Sequence, residues 1–196
     1  MSAKLRDRDW IPGEFSIMLD KTLKGASMRF ISAFCSLAVL AFAHTAHAQT
    51  ISPVSFSPEF QVLVDEELGA REGVYLRETV TQRVAAALAQ RGVTVGQSAN
   101  VTIEISIIGA DPNRPTMAQQ SQNLGLDGLR SVSIGGAELQ AVLRSSDGRV
   151  LSEVTHRRYD HSLADILGPP DTWQAARRAI NQFARKVADA YVESAS

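Results

Sequence analysis

Apolar residues change their spacing several times along the chain, and each change marks an element. Phe60, Val62 and Val64 alternate with Gln61, Leu63 and Asp65, which predicts a short strand ending near Asp65-Glu66-Glu67. From Val74 to Arg91 the spacing shifts to three and four, with Leu76, Val80, Val84, Ala87 and Leu88 on one face, and Gly92 supplies a stop. That is an amphipathic helix. Val101, Ile103, Ile105 and Ile107 then alternate with Thr102, Glu104 and Ser106, a two-residue period rich in β-branched side chains and so a strand.

A second alternation, Ala137, Leu139, Ala141 and Leu143, leads through Ser145-Ser146-Asp147-Gly148 into Val150 to Tyr159. Asp-Gly between two strand-like runs predicts a hairpin, because glycine accepts the positive φ that the turn requires. Gly135-Gly136 at the head of this hairpin suggests a bulge or a close backbone approach. The last element is predicted to open at Asp171 as an N-cap, with Gln174 completing a capping box after Pro169-Pro170. Trp173, Ala176, Ile180, Phe183, Val187 and Tyr191 give its core stripe, Arg177, Arg178, Arg185 and Lys186 its wet side, and Glu193 to Ser196 should fray.

The expected order is strand, helix, strand, strand, strand, helix. It predicts an α+β two-layer sandwich, two helices packed on one face of a mixed, largely antiparallel sheet. The other face, carrying Thr102, Glu104, Glu138, Gln140 and Arg144, should be polar and open. The single domain is expected over residues 60–193, preceded by an extended or mobile arm at 49–59 with Pro53 and Pro58.

Upstream lies a different pattern. Arg29, the apolar run Phe30 to Phe42, and Ala46-His47-Ala48 give the basic flank, short hydrophobic stretch and small-x-small box of an export signal over residues 28–48, with Gln49 as the first mature residue. Residues 1–27 include Asp7, Asp9, Glu14 and Asp20, an unusual leader composition that a mis-assigned start at Met28 explains. Cys35 lies inside the apolar run after Phe34, not at its end after a small residue, so lipid attachment is disfavoured.

Export changes what composition implies. The 148 residues after Ala48 keep 14 of the 20 basic and 17 of the 21 acidic side chains, a net charge of about −3, and no cysteine. A mildly acidic chain without a basic run has no electrostatic footprint for nucleic acid, and no later segment is apolar enough to span a membrane. Without disulfides the fold must rest on an ordinary apolar core. The expected location is the periplasm.

The β-α-β-β-β-α plan, the helix ending LAQRGVTV, the GGAELQAVLRSSDGRVL hairpin and the closing amphipathic helix resemble a group of small bacterial envelope domains. That group includes periplasmic domains and, more distantly, the lipopolysaccharide-assembly lipoprotein that plugs its outer-membrane barrel. The resemblance implies a non-enzymatic accessory of envelope assembly or transport, with an envelope protein as partner. The chain departs from the lipoprotein in having no lipidation cysteine after the signal.

Candidate chemistry is sparse. His156, Asp160 and His161 in HRRYDH are weak candidates for a metal or catalytic site, because five residues along a strand put the two histidines on opposite faces. The alternative is that they are surface polar residues at a strand end. Asp65, Glu66 and Glu67 diverge as neighbours on a strand and read as a solvated face. No nucleophile elbow, phosphate loop or cofactor motif occurs, so no cofactor is expected and the reading is non-enzymatic. The connection Gly109 to Arg130 is too long for antiparallel neighbours and mixes Met117, Leu124, Leu126 and Leu129 into a polar loop. These four residues either fold back over the core edge or form a contact surface for an envelope protein. A carrier of a small apolar or lipidic ligand, held between helices and sheet, is the alternative to partner binding.

Overall fold

The computed structural model describes residues 51–96, 100–166 and 171–195. The export segment, including Ala46, Ala48 and Gln49, lies outside the described residues, as does Pro169-Pro170. The elements are β1 (Ser55–Phe56), α1 (Pro58–Leu63), a π-helical turn (Val64–Leu68), α2 (Ala70–Gln90), β2 (Val101–Asp111), α3 (Met117–Gln122), β3 (Gly136–Ser145), β4 (Val150–Tyr159), a 3₁₀ turn (Leu163–Asp165) and α4 (Gln174–Ala195).

The class is α+β, with a four-stranded mixed sheet in the order β1-β2-β3-β4. β1 runs parallel to β2, and the other pairings are antiparallel. Helix α4 lies across β3 and β4 and packs on α2, whose buried face joins the same core cluster as the strand residues. The predicted inward residues of β2 (Val101, Ile103, Ile105, Ile107) and β3 (Ala137, Leu139, Ala141, Leu143) are all buried beneath them. The α2 face and the α4 stripe from Trp173 to Tyr191 close the same core. Each fully buried Leu, Ile or Phe there contributes about 1.5–3 kcal/mol. On the opposite face Arg144 pairs with Glu104 at 2.9 Å and Arg157 with Glu138 at 3.2 Å, so this side is polar, as expected.

The predicted strand at Phe60 to Asp65 is instead helical. Ser57 caps α1 by accepting the Phe60 N–H at 3.2 Å, Pro58 sits in its first turn, and Phe60, Val64 and Leu68 are buried at spacings of four. Val62, the middle member of the apparent alternation, is half exposed. The strand itself lies upstream. Ile51 bridges Ile103, Ser52 N–H reaches the Ile103 carbonyl at 2.9 Å, and Ser55–Phe56 pairs with β2, so the segment expected to be an arm is the edge of the sheet. Ile51 and Val54 are buried there, and the fold begins before Phe60.

The hairpin forms as predicted, with Gly148 at φ 85° donating to the Ser145 carbonyl. At Gly136 the close approach is real. A Cβ there would lie 2.4 Å from the Arg158 carbonyl oxygen. The irregularities in register fall elsewhere, on β2 between Ile107 and Gly109 and in the β3–β4 pairing between Leu143 and Arg144. Helix α4 starts at Gln174, with the Asp171 carboxylate accepting the Trp173 N–H at 3.0 Å just ahead of it, and continues to Ala195 through residues expected to fray.

Candidate functional site

β2 extends to Asp111 and β3 begins at Gly136, so the long connection spans residues 112–135. Its order starts from Asn113, a wholly buried polar residue. The Asn113 carboxamide oxygen accepts the Ala175 N–H at 2.7 Å, capping α4 from outside the helix, and its amide donates to the Ser133 carbonyl at 3.3 Å. Its backbone N–H meets the Thr172 carbonyl at 2.7 Å, and its carbonyl accepts from Ser133 N–H at 3.0 Å. One residue therefore joins both ends of the connection to the first turn of α4. Gly135 leaves the space for it, since a Cβ at that position would lie 2.7 Å from the Asn113 carboxamide.

Local hydrogen bonds build the rest. Thr116 and Gln119 form a reciprocal capping box that starts α3, at 3.2 and 3.0 Å. Gln122 ties α3 to the Glu66 carbonyl at 2.8 Å. The Asp127 carboxylate accepts the Leu129 and Arg130 N–H groups at 2.7 and 2.8 Å, and these bonds hold its pKa below the usual carboxylate value. Arg114 donates to the Leu129 carbonyl.

This polar frame carries apolar groups outward. Leu124 is 97% exposed, and Met117 and Leu129 about 70%. None of the three folds back over the core edge. Leu126 is half-buried and, with Pro112, Pro115, Val132 and Ile134, lines a recess of about 370 Å³ beside Asp111. Burial raises the Asp111 carboxyl above its usual pKa, against the opposing pull of Arg157. Tyr159, on β4 and separated from Asp111 by Gly136 of β3, is raised chiefly by burial and next by the Asp111 charge. Sequence reasoning missed Asn113, Val132 and Ile134. The alternation of Val132 and Ile134 before Gly135-Gly136 was their one visible signal.

The HRRYDH residues do not converge. His156 lies on the helix-covered face of β4 with Nδ1 3.2 Å from Lys186 Nζ, and burial, then the Lys186 charge, lowers its pKa. Asp160, expected at the surface, is buried and ion-paired at 2.7 Å to Arg178, whose side chain stays about one-third exposed. Arg177 is likewise engaged, with Asp171 and Tyr75. His161 is exposed and donates its backbone N–H to Asp165 at 3.0 Å. Among the described residues no three His, Cys, Asp or Glu side chains are grouped to hold a metal ion. Asp65, Glu66 and Glu67 are exposed on the π-helical turn. Among the described residues no helix is long and apolar enough to cross a membrane.

A crystal structure of the rare lipoprotein B from Shewanella oneidensis is similar at 16% identity over 74% of this chain and 92% of that one, with a TM-score of 0.25. No curated protein matches the chain. A family model described as a protein of unknown function, DUF3313, matches residues 38–187, which take in the whole sheet, α2 and most of α4.

Proposed function

The chain belongs to the DUF3313 family, and we propose that it is an exported, soluble periplasmic module of the bacterial cell envelope that binds a protein partner and performs no chemistry. The observation that carries this reading is the contrast within residues 112–135. A buried asparagine, a capping box and an aspartate turn hold the backbone, while Met117, Leu124 and Leu129 face solvent and Leu126, Val132 and Ile134 line a recess on the same connection. Exposed apolar groups on a hydrogen-bonded scaffold form the kind of surface that a partner desolvates. Export rests on the basic flank, apolar run and cleavage box at residues 28–48, with processing after Ala48.

Carriage of a lipidic ligand between helices and sheet finds less support, because that layer is filled. Ile103, Leu139, Ala141, Leu143, Val84 and Phe183 are each 1% exposed or less. The experiment is capture of partners through an affinity tag, comparing the native chain with a variant carrying Leu124→Ser and Leu129→Ser. The reading requires loss of the partner with an unchanged circular dichroism spectrum. Undiminished capture, or co-purified lipid in place of protein, contradicts it.

A further inference from the structure

The sheet has two edges of unequal character. β1 is two residues long and leads at once into α1, whereas β4 presents ten residues without proline. Asp160 donates its N–H to the Gly135 carbonyl, and the β3–β4 register places Leu139 opposite His156 and Ala141 opposite Val154. Antiparallel pairs alternate between hydrogen-bonded and non-bonded, so the even residues of β4 bond to β3. Glu153, Thr155, Arg157 and Tyr159 therefore direct their backbone N–H and C=O groups away from the sheet. An edge of this kind is a template for a further strand.

We propose that β4 pairs with β4 of a second copy, antiparallel about a two-fold axis at Thr155, to give a continuous eight-stranded sheet. Charge selects this occupant and this register. With Thr155 opposite itself, Glu153 faces Arg157 of the second copy, and symmetry repeats the pair. Centring on Glu153 or Arg157 places like charges together, and centring on Val154 or His156 leaves both charges opposite residues of no opposing sign. On the helix-covered side the Thr155 register sets Val154 opposite His156 and Ser152 opposite Arg158, with no like-charge contact within the strands. Glu153 is exposed and has no ion pair among the described residues, and the Arg157 side chain keeps 71% of its surface despite its contact with Glu138. Arg185 and Lys186 on the exposed side of α4 carry like charge in both copies, so attraction comes from the strand edge and the association is of modest affinity, weakening with salt.

The test is sedimentation velocity of the full chain over a concentration series, at low and moderate salt. The native protein is expected to show a salt-sensitive monomer–dimer equilibrium. Glu153→Arg or Arg157→Glu alone should weaken it by about tenfold or more. An equimolar mixture of the two single variants should restore dimer as a heterodimer, because each copy then offers what the other lacks, and restoration also shows that both variants fold. Thr155→Pro, which removes an outward-facing N–H, should be monomeric with an unchanged circular dichroism spectrum. A native chain that stays monomeric throughout, a dimer indifferent to both charge variants, or a mixture no more dimeric than its components overturns the proposal.

Discussion

Two connections join antiparallel neighbours in the sheet: β3 passes to β4 through Ser146 to Arg149 alone, turning at Asp147-Gly148, whereas β2 passes to β3 through residues 112–135. Geometry asks for no more than a few residues in either place. Ordering each additional backbone residue costs about 1–2 kcal/mol of conformational entropy. In the short turn that cost is kept small by brevity, with one glycine at the position of positive φ. In the long connection it is offset by the hydrogen bonds of Asn113, Thr116 and Asp127, and yet the apolar groups that could have contributed by burial point into solvent. Stability alone does not account for Leu124 at 97% exposure on an ordered backbone.

Removing Asn113 should break the contrast most severely. Asn113→Ala strands the buried Ala175 N–H and removes the side-chain donor to the Ser133 carbonyl, costing about 2–3 kcal/mol. Urea unfolding should report the loss, and amide exchange should rise across 112–135 while the β3–β4 hairpin stays protected. Gly148→Ala acts on the other connection. No atom lies within 4 Å of the added Cβ, so the positive φ alone sets its cost, about 1 kcal/mol, read as a lower melting temperature with partner capture retained.

Leu124→Ser with Leu129→Ser should change stability by less than about 0.5 kcal/mol in the same urea titration, because both side chains are already in water. A larger loss would mean that these leucines serve the fold. The smallest effect concerns pH. The Asp127 pKa is lowered in the folded chain by the Arg130 and Leu129 N–H groups, so its contribution is present above the unfolded value of 3.8 and is lost as pH falls through the lower folded value. Exchange at the Leu129 and Arg130 amides should rise in that acid window. Asp127→Asn, which has no carboxyl to titrate, should abolish the window.

The long-period elements were legible because burial decides them. A helix that must cover a sheet shows its stripe, and Leu76 to Leu88 and Trp173 to Tyr191 are buried where the spacing placed them. Phe60 to Val64 misled because residues four apart, with Val62 between them, satisfy both a two-residue and a helical period. The start signal Ser57-Pro58 was the better guide. Asn113 and Asp160 were opaque for another reason. Their partners Ala175 and Arg178 belong to α4, 62 and 18 residues away, and no local pattern announces a buried polar contact made across the fold. Gly135-Gly136 gave half of the answer: crowding was readable, but not that Asn113 and the end of β4 supply it.

The proposed function makes residues 112–135 a partner-binding surface on an exported chain. Its most direct test is a photo-crosslinking residue at Leu124, activated in intact cells, followed by mass spectrometry of both the adduct and the mature N-terminus. The expected result is a chain beginning at Gln49, joined through position 124 to an envelope protein, with no adduct from the same probe at exposed Arg149 in the short turn. A chain that keeps its first 48 residues, or equal crosslinking from both positions, would contradict it.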